Sequence, residues 1–185
     1  GAMTGMLNTL LDINQIEAGM VKAELSRFPV NDLLTHLRDE FTYHAQAKQL
    51  LLRVVPCSLV IETDRSLLEQ MLRNLISNAI KYTRRGKILL GCRRVKDMVS
   101  IEILDTGIGI EESQLHAIFD EYHQVDNAAR ERSRGLGLGL SIVQRLGDLL
   151  GHPVRVRSTP GKGTAFAVEV LLPLDELVTP GLADT

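Results

Sequence analysis

A chain of 185 residues with a formal net charge of −2, 24 % charged residues and 44 % hydrophobic residues has the composition of a globular domain. The length suffices for one sizeable core with flanking segments rather than two complete domains. The charge balance excludes the broad basic field of a nucleic-acid binder. Apolar runs such as 88–90 and 168–172, the latter interrupted by Glu169, are strand-sized and far short of the ~20 residues of a bilayer span.

Residues 1–3, Gly-Ala-Met, read as a cloning scar because no basic region and apolar stretch follow them. Leu7, Leu10, Leu11, Ile13 and Ile16 recur at helical spacing up to Gly19, so the chain is expected to begin within a helix. A short strand over 21–28 precedes Pro29, after which Asn31 or Asp32 is the expected cap of a helix running to Ala47. Residues 50–55 form an apolar strand, and Asp64 or Ser66 caps a helix that ends near Tyr82, with Gly86 beyond it. Two β-rich runs, 87–95 and 98–104, meet at Lys96-Asp97 as an antiparallel hairpin that delivers Asp105 at its end. A short helix over 111–119 is followed by the charged stretch 124–134, expected to be a mobile lid. A helix over 138–150 and strands over 154–157 and 164–172 close the domain, and Pro180 and Gly181 mark 174–185 as a linker tail. Helices and strands are mixed without strict alternation, which predicts an α+β fold: a two-layer sandwich whose mixed sheet is covered on one face by helices. Cys57 and Cys92 stand alone, with no metal-type spacing, and are expected to be buried reduced thiols of a cytoplasmic protein.

Three groups of residues carry chemistry. On the helix ending at Tyr82 the core stripe is Leu67, Leu68, Met71, Leu72, Leu75, Ile76, Ala79 and Ile80. Beside it, Gln70, Asn74, Asn78 and Tyr82 follow at i+4 steps, with Lys81 adjacent. Neutral amide oxygens can complete the shell of Mg²⁺ alongside phosphates, and Lys81 can meet those phosphates; a solvated amphipathic face is the alternative. Asp105-Thr106-Gly107-Ile108-Gly109 follows a strand, where a carboxylate can accept from the amino group of adenine. A plain turn and an aspartic protease's Asp-Thr-Gly are the rivals, the latter opposed by the single copy and the long helices. Arg130, Arg132 and Arg134 lead into Gly135-Leu136-Gly137-Leu138-Gly139-Leu140 and a helix start, which together suit an anion, against the alternative of a flexible connector. The turn Gly161-Lys162-Gly163-Thr164 is by itself an ordinary hairpin. The five histidines, His36, His44, His116, His123 and His152, share no metal spacing and are expected at the surface or half-buried.

In this order the motifs resemble the histidine-kinase ATP-binding domains of the GHKL superfamily, related in fold to gyrase, mismatch-repair and chaperone ATPases. Residues 74–83 are similar to the N box, 105–109 to the first glycine box, 118–122 to the F box, 135–140 to the second glycine box and 161–166 to the third. The resemblance covers about 21–173 and implies a Bergerat fold binding ATP and Mg²⁺. It implies that Asn78 ligates the metal with Asn74 in support, that Lys81 and Tyr82 contact nucleotide, and that Asp105 selects adenine. Gly107 and Gly109 would shape the base pocket, Arg134, Gly135, Gly137, Leu138 and Gly139 would hold phosphates, and Thr164 would lie near the base. Leu136 and Gln124 depart from residues common in relatives, Thr or Ser and Arg respectively.

Residues 11–19 resemble the end of the second helix of the family's dimerization and phosphoacceptor domain, so 1–20 are assigned to scar and helix end, 21–173 to the catalytic domain and 174–185 to the tail. No histidine followed by an acid and a base is present; His36-Leu37-Arg38 comes nearest and lacks the acid. The resemblance therefore implies a two-component kinase catalytic domain with no catalytic phosphoacceptor here, working with that domain and a response regulator or receiver, in a homodimeric parent. A regulatory nucleotide-binding module or an ATP hydrolase are the other readings.

Overall fold

The computed structural model describes residues 23–115, 118 and 138–173. The expectations for 1–20, for the lid at 124–134, for all of the F box except Ile118, and for the tail lie outside these residues. Strand β1 (Ser26–Pro29) runs directly into helix α1 (Val30–Ala47). Neither Asn31 nor Asp32 caps α1. Pro29 holds the cap position in an extended conformation with no side-chain cap bond, because its ring-fixed φ suits that residue. Asn31 Oδ1 instead accepts from the Cys57 N–H at 3.4 Å.

Strands β2 (Leu51–Val54) and β3 (Val60–Thr63) precede helix α2 (Arg65–Tyr82). Then come β4 (Lys87–Val95), β5 (Met98–Asp105), a 3₁₀ turn (Glu112–Gln114), helix α3 (Leu138–Leu150), β6 (Val154–Thr159) and β7 (Gly163–Leu171). Strand β3, absent from the sequence-based expectation, pairs antiparallel with β1 as a separate ribbon. The main sheet has the order β2-β4-β5-β7-β6, parallel between β2 and β4 and antiparallel elsewhere.

The strands alternate as a half-buried sheet must. Ile88 and Leu90, Val99, Ile101 and Ile103, and Phe166, Val168 and Val170 turn to the helical side and are buried. Lys87, Arg93 and Arg155 point the other way, where Arg93 pairs with Glu102 at 2.9 Å and Arg155 with Glu169 at 2.8 Å. On α2 the stripe Leu68, Met71, Leu72, Leu75, Ile76, Ala79 and Ile80 is buried, and Leu67 is only partly so. This is the two-layer α+β sandwich that the pattern predicts. Truncating a fully buried leucine such as Leu72 or Leu75 costs about 2–5 kcal/mol.

Asp64 fixes the start of α2: its Oδ1 accepts from the Leu67 N–H at 2.9 Å and its Oδ2 from the Glu24 N–H at 2.7 Å, so one buried carboxylate caps the helix and ties down the chain before β1. Lys48, just past α1, donates through Nζ to the Ile80 carbonyl at 2.5 Å and the Lys81 carbonyl at 3.3 Å. A cation thereby meets the unsatisfied carbonyls at the end of α2.

Two expectations are corrected. Cys57 and Cys92 are half-buried and joined as a disulfide, with Cα atoms 6.5 Å apart. They are 35 residues apart in sequence but become neighbours because β2, which precedes Cys57, lies beside β4, which carries Cys92. His152 is buried, not superficial, and its Nε2 is 2.7 Å from Thr63 Oγ1, linking the end of α3 to the strand before α2.

Burial holds the His152 imidazole below its ordinary pKa of about 6.5. A base whose folded-state pKa is depressed takes up protons more readily when unfolded. Its stabilising effect is therefore complete above pH ~6.5 and is lost as the pH falls below it. The urea midpoint is expected to drop between pH 7 and pH 5, and His152→Gln to flatten that slope; equal slopes in the two proteins would contradict this.

Candidate nucleotide-binding site

The end of α2 and the turn after β5 approach so closely that they share hydrogen bonds. The Tyr82 carbonyl accepts from the Ile108 N–H at 3.2 Å. A Cβ at Gly107 would lie 2.5 Å from that carbonyl oxygen, 2.9 Å from Asp105 Oδ1 and 3.0 Å from Thr83 Oγ1, so only glycine fits there. Gly109 has φ +76°, and a side chain on it would collide with the Thr159 carbonyl.

Asp105 ends β5 directly opposite Thr164 of β7. Its Oδ1 accepts from the Gly107 N–H at 2.8 Å and the Thr164 N–H at 3.2 Å. Burial pushes the carboxyl above its ordinary range against the opposing pull of these two donors. Ser158 of β6 secures the far wall: it is 2.8 Å from Thr164 Oγ1, accepts from the Ile110 N–H at 2.7 Å and donates to the Gly163 carbonyl at 3.0 Å. Thr83, directly after α2, is fully buried, and among the described residues its Oγ1 has no hydrogen-bond partner. A buried unpaired hydroxyl costs about 1–3 kcal/mol.

Of the expected residues, the structure brings Tyr82, Asp105, Gly107, Gly109 and Thr164 together through these contacts. Asn78 and Asn74 lie one and two turns back along α2, both half-buried, and Lys81 is exposed at its end. Leu138 and Gly139 open α3, which packs on α2, and a side chain at Gly139 would meet open space. Arg134, Gly135 and Gly137 lie outside the described residues. Sequence reasoning missed Ser158 and Thr83. A polar residue in phase with Val154 and Val156 was the available signal for Ser158; for Thr83 it was a hydroxyl continuing the α2 stripe past the helix end. Away from this site, His36, Glu40 and Glu69 put their ligand atoms within 4.8 Å of one another, but Arg73 already bridges Glu40 and Glu69 at 2.7 and 2.6 Å.

The arrangement fits an adenine nucleotide: a half-buried acceptor carboxylate and a hydroxyl with no partner among the described residues, on a turn that two glycines let close against the end of α2 and the end of β6, beside an amide-bearing helix and the start of another helix. The model of the histidine kinase-, DNA gyrase B- and HSP90-like ATPases matches residues 63–176. The chain belongs to that family. It is 37 % identical over 182 residues to the sensor histidine kinase GacS of Pseudomonas protegens, covering 93 % of this chain and 20 % of the relative. It is 33 % identical over 172 residues to the sensor histidine kinase RcsC of Escherichia coli, covering 90 % and 18 %. The chain thus spans about a fifth of these curated relatives. The crystal structure of full-length ShkA in complex with AMPPNP superposes with a TM-score of 0.81 at 27 % identity, over 91 % of this chain and 35 % of that one.

A carboxyl whose pKa rises on folding costs stability at neutral pH, and the cost fades as the pH falls through the folded-state pKa. Asp105→Asn keeps an Oδ1 acceptor for both N–H groups and removes the partly desolvated charge. It is expected to raise the melting temperature of the ligand-free protein at pH 7, with the advantage over wild type fading as the pH falls through the raised folded-state pKa. Calorimetric scans over that range of pH test this, and a destabilised variant at pH 7 would refute it.

Proposed function

We propose that this chain is the ATP-binding catalytic domain of a two-component sensor histidine kinase, holding Mg-ATP for phosphoryl transfer to a histidine of a dimerization and phosphoacceptor domain. The carrying observation is the half-buried Asp105 carboxylate, oriented by two backbone N–H groups and followed by Gly107 and Gly109, which let its turn close against the neighbouring backbone. The identity to sensor kinases over nine-tenths of the chain supports the kinase reading over other ATPases of the family.

Bound Mg-ATP supplies the γ-phosphoryl group and the charge neutralisation of the phosphates. The chain's own residues position it. Asp105 accepts from the adenine amino group, which excludes the guanine carbonyl at the same place. Asn78 offers a neutral oxygen to the metal with Asn74 behind it, and Lys81 and Tyr82 contact the nucleotide. Arg134, Gly135, Gly137, Leu138 and Gly139 receive the phosphates, with the amides and dipole of the α3 start favouring negative charge. Because phosphoryl transfer depends chiefly on positioning, an acceptor imidazole must be brought in line by the partner domain. A response regulator or receiver domain then takes the phosphoryl group, in a homodimeric parent acting in the cytoplasm. No helix among the described residues is long and apolar enough to cross a membrane.

Three outcomes are expected. In calorimetry, ATP binds more tightly with Mg²⁺ than without, and Asn78→Ala loses about tenfold of the metal-dependent affinity; a variant unchanged by the metal would sink that role. Wild type prefers ATP to GTP, whereas Asp105→Asn, which presents an amide donor, weakens ATP about 10–100-fold and narrows the preference. Competition by GTP as effective as by ATP against wild type would contradict adenine selection. Incubation with γ-labelled ATP leaves this chain unlabelled, because none of its five histidines combines an adjacent acid and base; an acid-labile label would overturn that expectation.

A further inference from the structure

The hydroxyl of Thr83 is the feature of this pocket that the ATP reading leaves unexplained. The residue follows α2 in an extended conformation, φ −107° and ψ 115°, where the chain leaves the helix for β4. It is 0 % exposed, and its Oγ1 has no partner among the described residues. It does nothing for the helix end, since the Ile80 and Lys81 carbonyls are met by Lys48 and the Tyr82 carbonyl by the Ile108 N–H. Valine has the same shape and would fill the position without an unpaired polar atom. What the hydroxyl does have is a place: Oγ1 and Asp105 Oδ1 flank the same glycine, 3.0 and 2.9 Å from where a Gly107 side chain would begin. A buried hydroxyl with no partner among the described residues leaves a donor that a ligand can take up.

Resting on the adenine reading above, we propose that Thr83 is a specificity-determining residue of the purine pocket, donating from Oγ1 to the ring nitrogen beside the amino group that Asp105 accepts from. The edge of adenine presents a donor, its amino group, next to an acceptor, the ring nitrogen N1. A carboxylate beside a hydroxyl is the complementary pair, acceptor next to donor. Guanine reverses both positions, with a carbonyl and an N–H. The hydroxyl can rotate to donate, so its hydrogen bond forms in the complex and is missing from the free protein.

The test compares wild type, Thr83→Val and Thr83→Ser in binding ATP and 1-deaza-ATP, which has a carbon in place of N1. Thr83→Val is expected to melt no lower than wild type and to bind ATP about 3–10-fold more weakly, while Thr83→Ser binds within about twofold of wild type. With 1-deaza-ATP, wild type and Thr83→Val should bind alike. Thr83→Val binding ATP as tightly as wild type would overturn the proposal. So would an equal loss toward both nucleotides, which marks a purely structural role. If wild type bound no ATP and Asp105→Asn changed nothing, the adenine reading itself would fall and this inference with it. Wild-type ATP binding that depends on Asp105 but not on Thr83 removes the inference alone.

Discussion

The site depends on one close contact, the approach of the last carbonyls of α2 to the turn after β5. The Tyr82 carbonyl receives the Ile108 N–H, and Gly107 sits where any side chain would strike that carbonyl. The contact sets the distance between the helix bearing Asn74, Asn78 and Lys81 and the strand end bearing Asp105. It needs both sides held. Lys48 draws the end of α2 toward α1, and β7 holds Asp105 through the Thr164 N–H. The core stripe of α2 then fixes the helix against the sheet. A glycine, a lysine and a strand register thus do for the pocket what no pair of side chains does alone.

Asp105 shows what such a pocket asks of the fold. Two backbone donors orient the carboxylate, yet burial still pushes its pKa up, so the ligand-free protein carries a partly uncompensated charge. Thr83 adds, a glycine's width away, a hydroxyl with no partner among the described residues. Both groups lower the stability of the free domain, and both have chemistry matched to one edge of a purine. Polar groups that work against the fold and gather at one place are a mark of a binding site.

Much of this was legible in the sequence because it rests on periodicity and turn chemistry. The alternating burial of β4, β5 and β7, the stripe of α2 and the Asp64 cap follow from spacing and residue type alone. Asp105, Gly107 and Gly109 stood out because an acid at a strand end followed by glycines is local information. The rest is not local. Strand β3 is four residues long and gains its partner from β1, some thirty residues earlier, so no window of sequence carries it. The Cys57–Cys92 bridge depends on the parallel pairing of β2 with β4, which spacing does not reveal. Asn31 looked like a cap but serves the Cys57 N–H, because Pro29 already holds the position. His152 is buried and hydrogen-bonds Thr63, a residue 89 positions away.

The strand order also bears on when the pocket comes into being. Strands β4 and β5 are joined by a tight turn and can pair early, but that hairpin holds Asp105 only at its open end, opposite Ile88. Its second donor, Thr164, is 59 residues further on and arrives only when β7 docks beside β5. Closing so long a loop is entropically costly, so contacts of this range form after local ones. The recognition chemistry is therefore acquired late in folding, and the partly folded chain passes through its earlier stages with no purine-binding pocket.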